Sequence, residues 1–229
     1  CRELNKYSYN NIYVYSLICD EYIDQMILTK PIFKKLKILV CNECSNIVSV
    51  NHFSETLEIL DCSGSGCGIN QNGIYQLNKL KVLRCKQNSK IIDVNHLDKT
   101  LEKLYCGWEC GIDQNGIKSL SKLKHLYCDG NSKIRSVNHL KDTLEELNCS
   151  WISGIEQEGI SGLTNLRRID CTGNPNIKNL NHMADKLEEV FCSGYCCGID
   201  DNGISQLAHL KVLKCERNSK IKLQFLKND

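Results

Sequence analysis

Apolar and polar positions along this chain repeat one short phrase, L-x-x-L-x-C. It reads "LEILDC" at 57–62, "LKVLRC" at 80–85, "LEKLYC" at 101–106 and "LKHLYC" at 123–128. It returns as "LEELNC" at 144–149, "LRRIDC" at 166–171, "LEEVFC" at 187–192 and "LKVLKC" at 210–215. The first, fourth and sixth places are apolar, and the second, third and fifth vary. Side chains of a strand alternate between two faces, so the end of each phrase predicts a strand with one buried face. The closing cysteines are Cys19, Cys41, Cys62, Cys85, Cys106, Cys128, Cys149, Cys171, Cys192 and Cys215, at steps of 22, 21, 23, 21, 22, 21, 22, 21 and 23 residues. A fixed period of this length marks a solenoid, in which each unit packs only on its neighbours.

The phrase resembles the leucine-rich repeat, L-x-x-L-x-L-x-x-N/C, with cysteine in place of the third leucine. Asn88, Asn131, Asn174 and Asn218 stand three residues after the cysteine in alternate units, and Cys44 holds the same place in another. The resemblance implies that these residues pair backbone groups where the chain leaves the strand. Short units of 21 residues, such as "LKVLRCKQNSKIIDVNHLDKT", alternate with long ones of 22 or 23, such as "LEKLYCGWECGIDQNGIKSLSK". In that long unit Ile117, Leu120 and Leu123 fall at helical spacing behind Asp113, which predicts an N-capped helix like those of the cysteine-containing class of these repeats. The short units, with "VNHL" at 94–97 and 137–140 and "LNHM" at 180–183, leave room for one helical turn.

The fold predicted is therefore an α/β, right-handed leucine-rich-repeat solenoid, a horseshoe arc. About ten parallel strands line its concave face, and helices or short helical turns cover its convex face. Residues 1–229 form one domain: a partial repeat at 1–13 cut within a unit, regular repeats at 14–221, and an irregular end at 222–229. Upstream sequence is expected before Cys1.

Composition changes this picture little. The chain has 29 basic and 27 acidic residues, a formal charge of +2, without the basic excess of a nucleic-acid binder. No apolar run approaches the ~18 residues of a membrane-spanning helix. Lys, Asn and Ile number 23 each; this bias, with the repeats, is similar to leucine-rich-repeat proteins of amoebae and of mimivirus-like giant viruses.

The 16 cysteines invite chemical readings that the repeat disposes of. Cys41 and Cys44 form one Cys-x-x-Cys pair, whereas a structural zinc site takes four ligands. Cys67, Cys110 and Cys197 recur in the loop before "GI", but Ser153 replaces them in one unit, which suits packing better than metal. His52, His96, His139 and His182 return with the period, as repeat parts paired to backbone in a turn. His125 and Cys128 fall on opposite strand faces, so no thiol–imidazole couple forms. No catalytic residue, metal or cofactor is assigned, and a thiol- or metal-dependent enzyme stands as the outside alternative. Ladder thiols facing the core behave as small hydrophobes, which implies free thiols in a reducing, cytoplasmic setting.

The variable places carry the functional expectation. The second place reads Lys37, Glu58, Lys81, Glu102, Lys124, Glu145, Arg167, Glu188 and Lys211, with signs alternating strand by strand. Opposite charges on neighbouring strands attract weakly, which gives the double-length repeat a physical reason. The fifth place varies freely against the constant frame, as a binding surface does. Tyr105 and Tyr127 are expected side by side, flanked by Arg84 and His125. Trp108 and Trp151 stand at the strand ends with a notch at Gly130 between them, and Phe191 lies further along. A protein partner on the concave face is expected. Cysteine-containing repeats often follow an F-box, which would make this the substrate-recognition arm of a ubiquitin ligase, with ligase components as further partners.

Overall fold

The computed structural model describes residues 12–20 and 22–222. The partial repeat expected at 1–13 and the end expected at 222–229 fall almost wholly outside them. Ten strands of three residues carry the phrases: β1 Ser16–Ile18, β2 Ile38–Val40, β3 Ile59–Asp61, β4 Val82–Arg84 and β5 Lys103–Tyr105. They continue with β6 His125–Tyr127, β7 Glu146–Asn148, β8 Arg168–Asp170, β9 Glu189–Phe191 and β10 Val212–Lys214. All ten pair parallel, in sequence order, in one sheet. The register sets equal places of the phrase opposite each other, Leu104 against Leu126 and Tyr105 against Tyr127.

That register stacks the apolar places into one continuous core. Leu39, Leu60, Leu83, Leu104, Leu126 and Leu147 are fully buried, and so are the ladder thiols from Cys41 to Cys192. The end rungs Cys19 and Cys215 are only half-buried. No helix among the described residues is long and apolar enough to cross a membrane.

The helix expected behind Asp113 shrinks to one 3₁₀ turn, Asn115–Ile117. Asp113 does cap it, accepting from the Asn115 and Gly116 amides at 2.9 and 3.0 Å. Two features end it. Gly116 lies so close to the previous coil that an added Cβ would sit 2.3 Å from the Ile92 carbonyl. The Ser119 amide then donates to Asn95 Oδ1 of that coil at 2.7 Å, in place of a carbonyl of its own helix. Among the described residues only α1 (Gln25–Leu28) and α2 (Gln71–Ile74) are α-helical, each a single turn.

Polar side chains fasten coil to coil by a fixed scheme. Asn131 donates through Nδ2 to the Cys106 and Ile112 carbonyls at 2.8 and 3.1 Å, and Asn88, Asn174 and Asn218 do the same in their units. The histidines of the short units reach backward: His96, His139 and His182 pair through Nε2 with the Ile74, Ile117 and Ile160 carbonyls at 3.0–3.1 Å. A glutamine clamp was not foreseen. Gln114 donates to the Ser136 carbonyl and accepts from the Arg135 and Ser136 amides, and Gln25, Gln71 and Gln157 repeat it. Its signal was the recurring "DQN", "NQN" and "EQE" of the long units.

Candidate binding face

The third and fifth places of each strand point away from the core, and their contents divide the inner face in two. Over β1–β4 they are mostly aliphatic: Ile18, Ile38, Val40, Ile59 and Val82. From Arg84 of β4 to Phe191 of β9 they are mostly aromatic and charged. Tyr105 and Tyr127 stack with ring centroids 4.2 Å apart and planes 3° from parallel. The Arg84 guanidinium lies 4.8 Å from the Tyr105 ring centre and extends the stack over a third strand. Strand spacing sets roots about 4.8 Å apart, so flat groups in one register place meet face to face.

Glu146 joins this stack to a second cluster. His125 Nδ1 lies 3.0 Å from Glu146 Oε2, and Arg168 Nε reaches Glu146 Oε1 at 2.9 Å. Burial first, then the hydrogen bond to Glu146, raise the Tyr127 phenol well above its ordinary range, so it remains a neutral hydroxyl. Arg168 also binds Glu189 at 2.6 Å and covers the Phe191 ring at 4.3 Å, with Lys214 5.1 Å from that ring. A connected row thus runs from Arg84 to Lys214. Glu146, Arg168, Glu189 and Lys214 are not legible as site residues in the sequence, since their role comes from contacts between strands. The sequence shows only a third place that turns from Val82 to Lys103, His125, Glu146, Arg168 and Glu189.

Along the second place the alternating charges form pairs. Glu58 is held between Lys37 and Lys81, both at 2.8 Å, and Glu188 between Arg167 at 3.1 Å and Lys211 at 2.8 Å. The Lys37 hydrogen bond, then that of Lys81, pull the Glu58 carboxyl down to about 2. In the middle the fit is looser, with Lys124 4.0 Å from Glu102.

The tryptophans stand apart from the tyrosine stack, at the edge where strands end. In nine units the second residue after the ladder cysteine has positive φ: Glu43, Gly64, Gln87, Trp108, Gly130, Trp151, Gly173, Gly194 and Arg217. This left-handed conformation suits glycine and is strained for a bulky residue. The notch expected at Gly130 is filled: the Trp108 ring lies over it, and a Cβ there would be 3.2 Å from the ring. A bulky neighbour at Gly130 would have displaced that ring, so the glycine admits the tryptophan and leaves no gap. Lys86 caps the other side of Trp108 at 5.6 Å. Trp151, 54% exposed, covers Gly173 and lines an apolar groove of about 500 Å³ with Ile152, Pro175, Gly194 and Tyr195. Among the described residues no three His, Cys, Asp or Glu side chains converge on a metal-sized site.

A parallel sheet of identical short strands, a buried asparagine in every second coil and a one-turn return define a leucine-rich-repeat solenoid. Solved structures agree. The functional domain of InlJ from Listeria monocytogenes, which includes a cysteine ladder, superposes with a TM-score of 0.61 at 23% identity, over 91% of this chain and 45% of that one. The internalin InlF from Listeria monocytogenes gives 0.57 at 17% identity, over 81% and 55%. A TLR13–ssRNA13 complex gives 0.59 at 20% identity, over 91% and 36%. The chain thus spans between 36% and 55% of these structures' own lengths, and the likeness is one of fold. The sequence matches no protein-family model and none of the curated proteins.

Proposed function

We propose that this solenoid is a non-catalytic recognition module that binds a protein partner through its concave face, centred on Arg84, Tyr105 and Tyr127. The observation that carries this is the contrast within each strand. The buried places repeat with little change, while the outward ones hold a stacked, half-buried aromatic pair flanked by arginine. Tyr, Trp and Arg dominate interface hot spots, because each contributes large area at low entropic cost. The His125–Glu146–Arg168 chain holds its charges in mutual pairs, so a partner meets an aromatic centre edged by the Arg84 guanidinium and by paired charges. The TLR13 structure contains RNA; the near balance of 29 basic and 27 acidic residues favours protein here. The ladder thiols fit a reducing, cytoplasmic setting, and the same face would serve as a ubiquitin ligase's recognition arm.

The test is the double change Tyr105→Ala with Tyr127→Ala, assayed for partner capture from lysate and for melting temperature. Loss of a specific protein with the melting temperature lowered by no more than a few degrees supports the proposal. Unchanged capture, or a collapse in stability, refutes it.

A further inference from the structure

One set of buried thiols is left unused by the concave face. In three long units the loop cysteine meets the ladder cysteine of the short unit before it. Cys110 Sγ lies 3.6 Å from Cys85 Sγ. Cys67 lies against Cys41 in the same way, and Cys197 against both Cys171 and Cys192. Cys67 and Cys197 also sit 3.6 Å from the carbonyls of Cys41 and Cys171.

Each of these loop cysteines has a lysine against it. Lys90, Lys133 and Lys220 donate through Nζ to the carbonyls of Cys67, Cys110 and Cys197 at 2.7, 3.1 and 2.8 Å. The two residues change together. Where the loop has Ser153, the lysine place holds Asn176. The Ser153 unit keeps the same strands and the same buried asparagine bonds without either residue. The fold itself therefore does not require the cysteine–lysine couple, and packing does not explain why both are lost together.

Chemistry does explain it. A nearby ammonium favours a thiolate, the form that attacks peroxides and disulfides. The hydrogen bond from the ladder thiol, then the Ile112 amide and the Lys133 charge, hold the Cys110 thiol below its ordinary range. Its partner Cys85 is pushed up by that same hydrogen bond and by burial.

We propose that Cys41–Cys67, Cys85–Cys110 and Cys171–Cys197 are peroxide-oxidisable pairs, each closing to a disulfide that pins a long unit to the short unit before it. Closure needs side-chain rotation from 3.6 Å to a bond of about 2.05 Å. The Cys110 thiolate attacks one oxygen of hydrogen peroxide; the O–O bond breaks, a sulfenic acid forms, and hydroxide leaves and takes up a proton as water. The Cys85 sulfur then attacks the sulfenic sulfur, the S–O bond breaks, the S–S bond forms, and the second water leaves with the Cys85 proton. Two thiols are oxidised and one peroxide is reduced to two waters. A small neutral oxidant is specified because both sulfurs are fully buried.

Three proteins treated with dilute hydrogen peroxide, alkylated in denaturant and mapped by mass spectrometry provide the test. The wild type should show the linkages 41–67, 85–110 and 171–197, with Cys128 still free. Lys133→Asn should slow closure of 85–110, because fewer Cys110 thiols are ionised without the ammonium, and leave the other two pairs unchanged. Ser153→Cys with Asn176→Lys should add a link between Cys128 and position 153, since Ser153 already hydrogen-bonds Cys128. Rung-to-rung disulfides, irreversible sulfinic acids at these sites, no loss of thiols, or a Lys133→Asn rate equal to wild type would each overturn the proposal.

Discussion

Two sides of the same strand behave in opposite ways. In β6, Leu126 faces the core and repeats as leucine, isoleucine or valine in every other strand, while Tyr127 on the inner face is replaced by Asn148 in β7 and Arg84 in β4. The core side repeats because each side chain fills a space made by two neighbours of the same kind, where a lost methylene leaves a cavity. The inner side has no such constraint and is free to vary. Constancy here reports packing, and variation is what the proposed recognition role requires.

The sharpest way to break this contrast is to cut both sides of one strand. Leu126→Ala should destabilise by about 2–5 kcal/mol in denaturant titration. Tyr127→Ala removes one stacked ring and should cost only about 0.5–1.5 kcal/mol. Equal losses would mean that the tyrosine pair is part of the framework.

A smaller effect is expected at the polar fastenings. Asn131→Ala leaves the Cys106 and Ile112 carbonyls without their donor inside the turn and should cost about 1–3 kcal/mol. Asn148→Ala, on the inner face, removes a single acceptor, that of the Ser150 amide at 3.0 Å, and should cost about 1 kcal/mol.

Smaller again is the response to pH. Burial lowers the pKa of His52, His96 and His139 below 6.5, outweighing the backbone bond each makes. The unfolded chain then binds protons that the folded chain refuses. Stability is full above the unfolded value of 6.5 and declines as pH falls below it. A melting temperature that is level above neutrality and drops on acidification checks this; a rise on acidification contradicts it.

The smallest effect belongs to Glu58. Its carboxyl is depressed from 4.5 to about 2, so its contribution is present above the unfolded value and disappears as pH falls through that window. Exposed pairs are screened, so Glu58→Gln should abolish a slight salt dependence and do little else.

The frame was legible in the sequence because it is periodic. The strands, the buried asparagines, the histidine-to-carbonyl turns and the alternating charges at Lys37, Glu58 and Lys81 all repeat, so each copy supports the others. Single-copy features were harder. The helix at 117–123 had the right spacing, but spacing cannot show that Asn95 of the previous coil would take the Ser119 amide. The Gly130 notch failed for the same reason, since a glycine's empty space is filled by whatever lies beside it, here Trp108. Tyr105 and Tyr127 were placed correctly because register alone brings them together, whereas Glu146 and Arg168 gain their meaning only from the contacts they make.

A partner is proposed to seat on the inner face at the tyrosine stack. The direct measurement is site-specific photo-crosslinking, with a benzophenone side chain placed at Tyr105, at Tyr127, or at Tyr75, which is 68% exposed beside the return turn. A protein crosslinked from positions 105 and 127, and not from 75, is the result predicted. Crosslinks from position 75 alone, or to RNA in place of protein, would contradict the account.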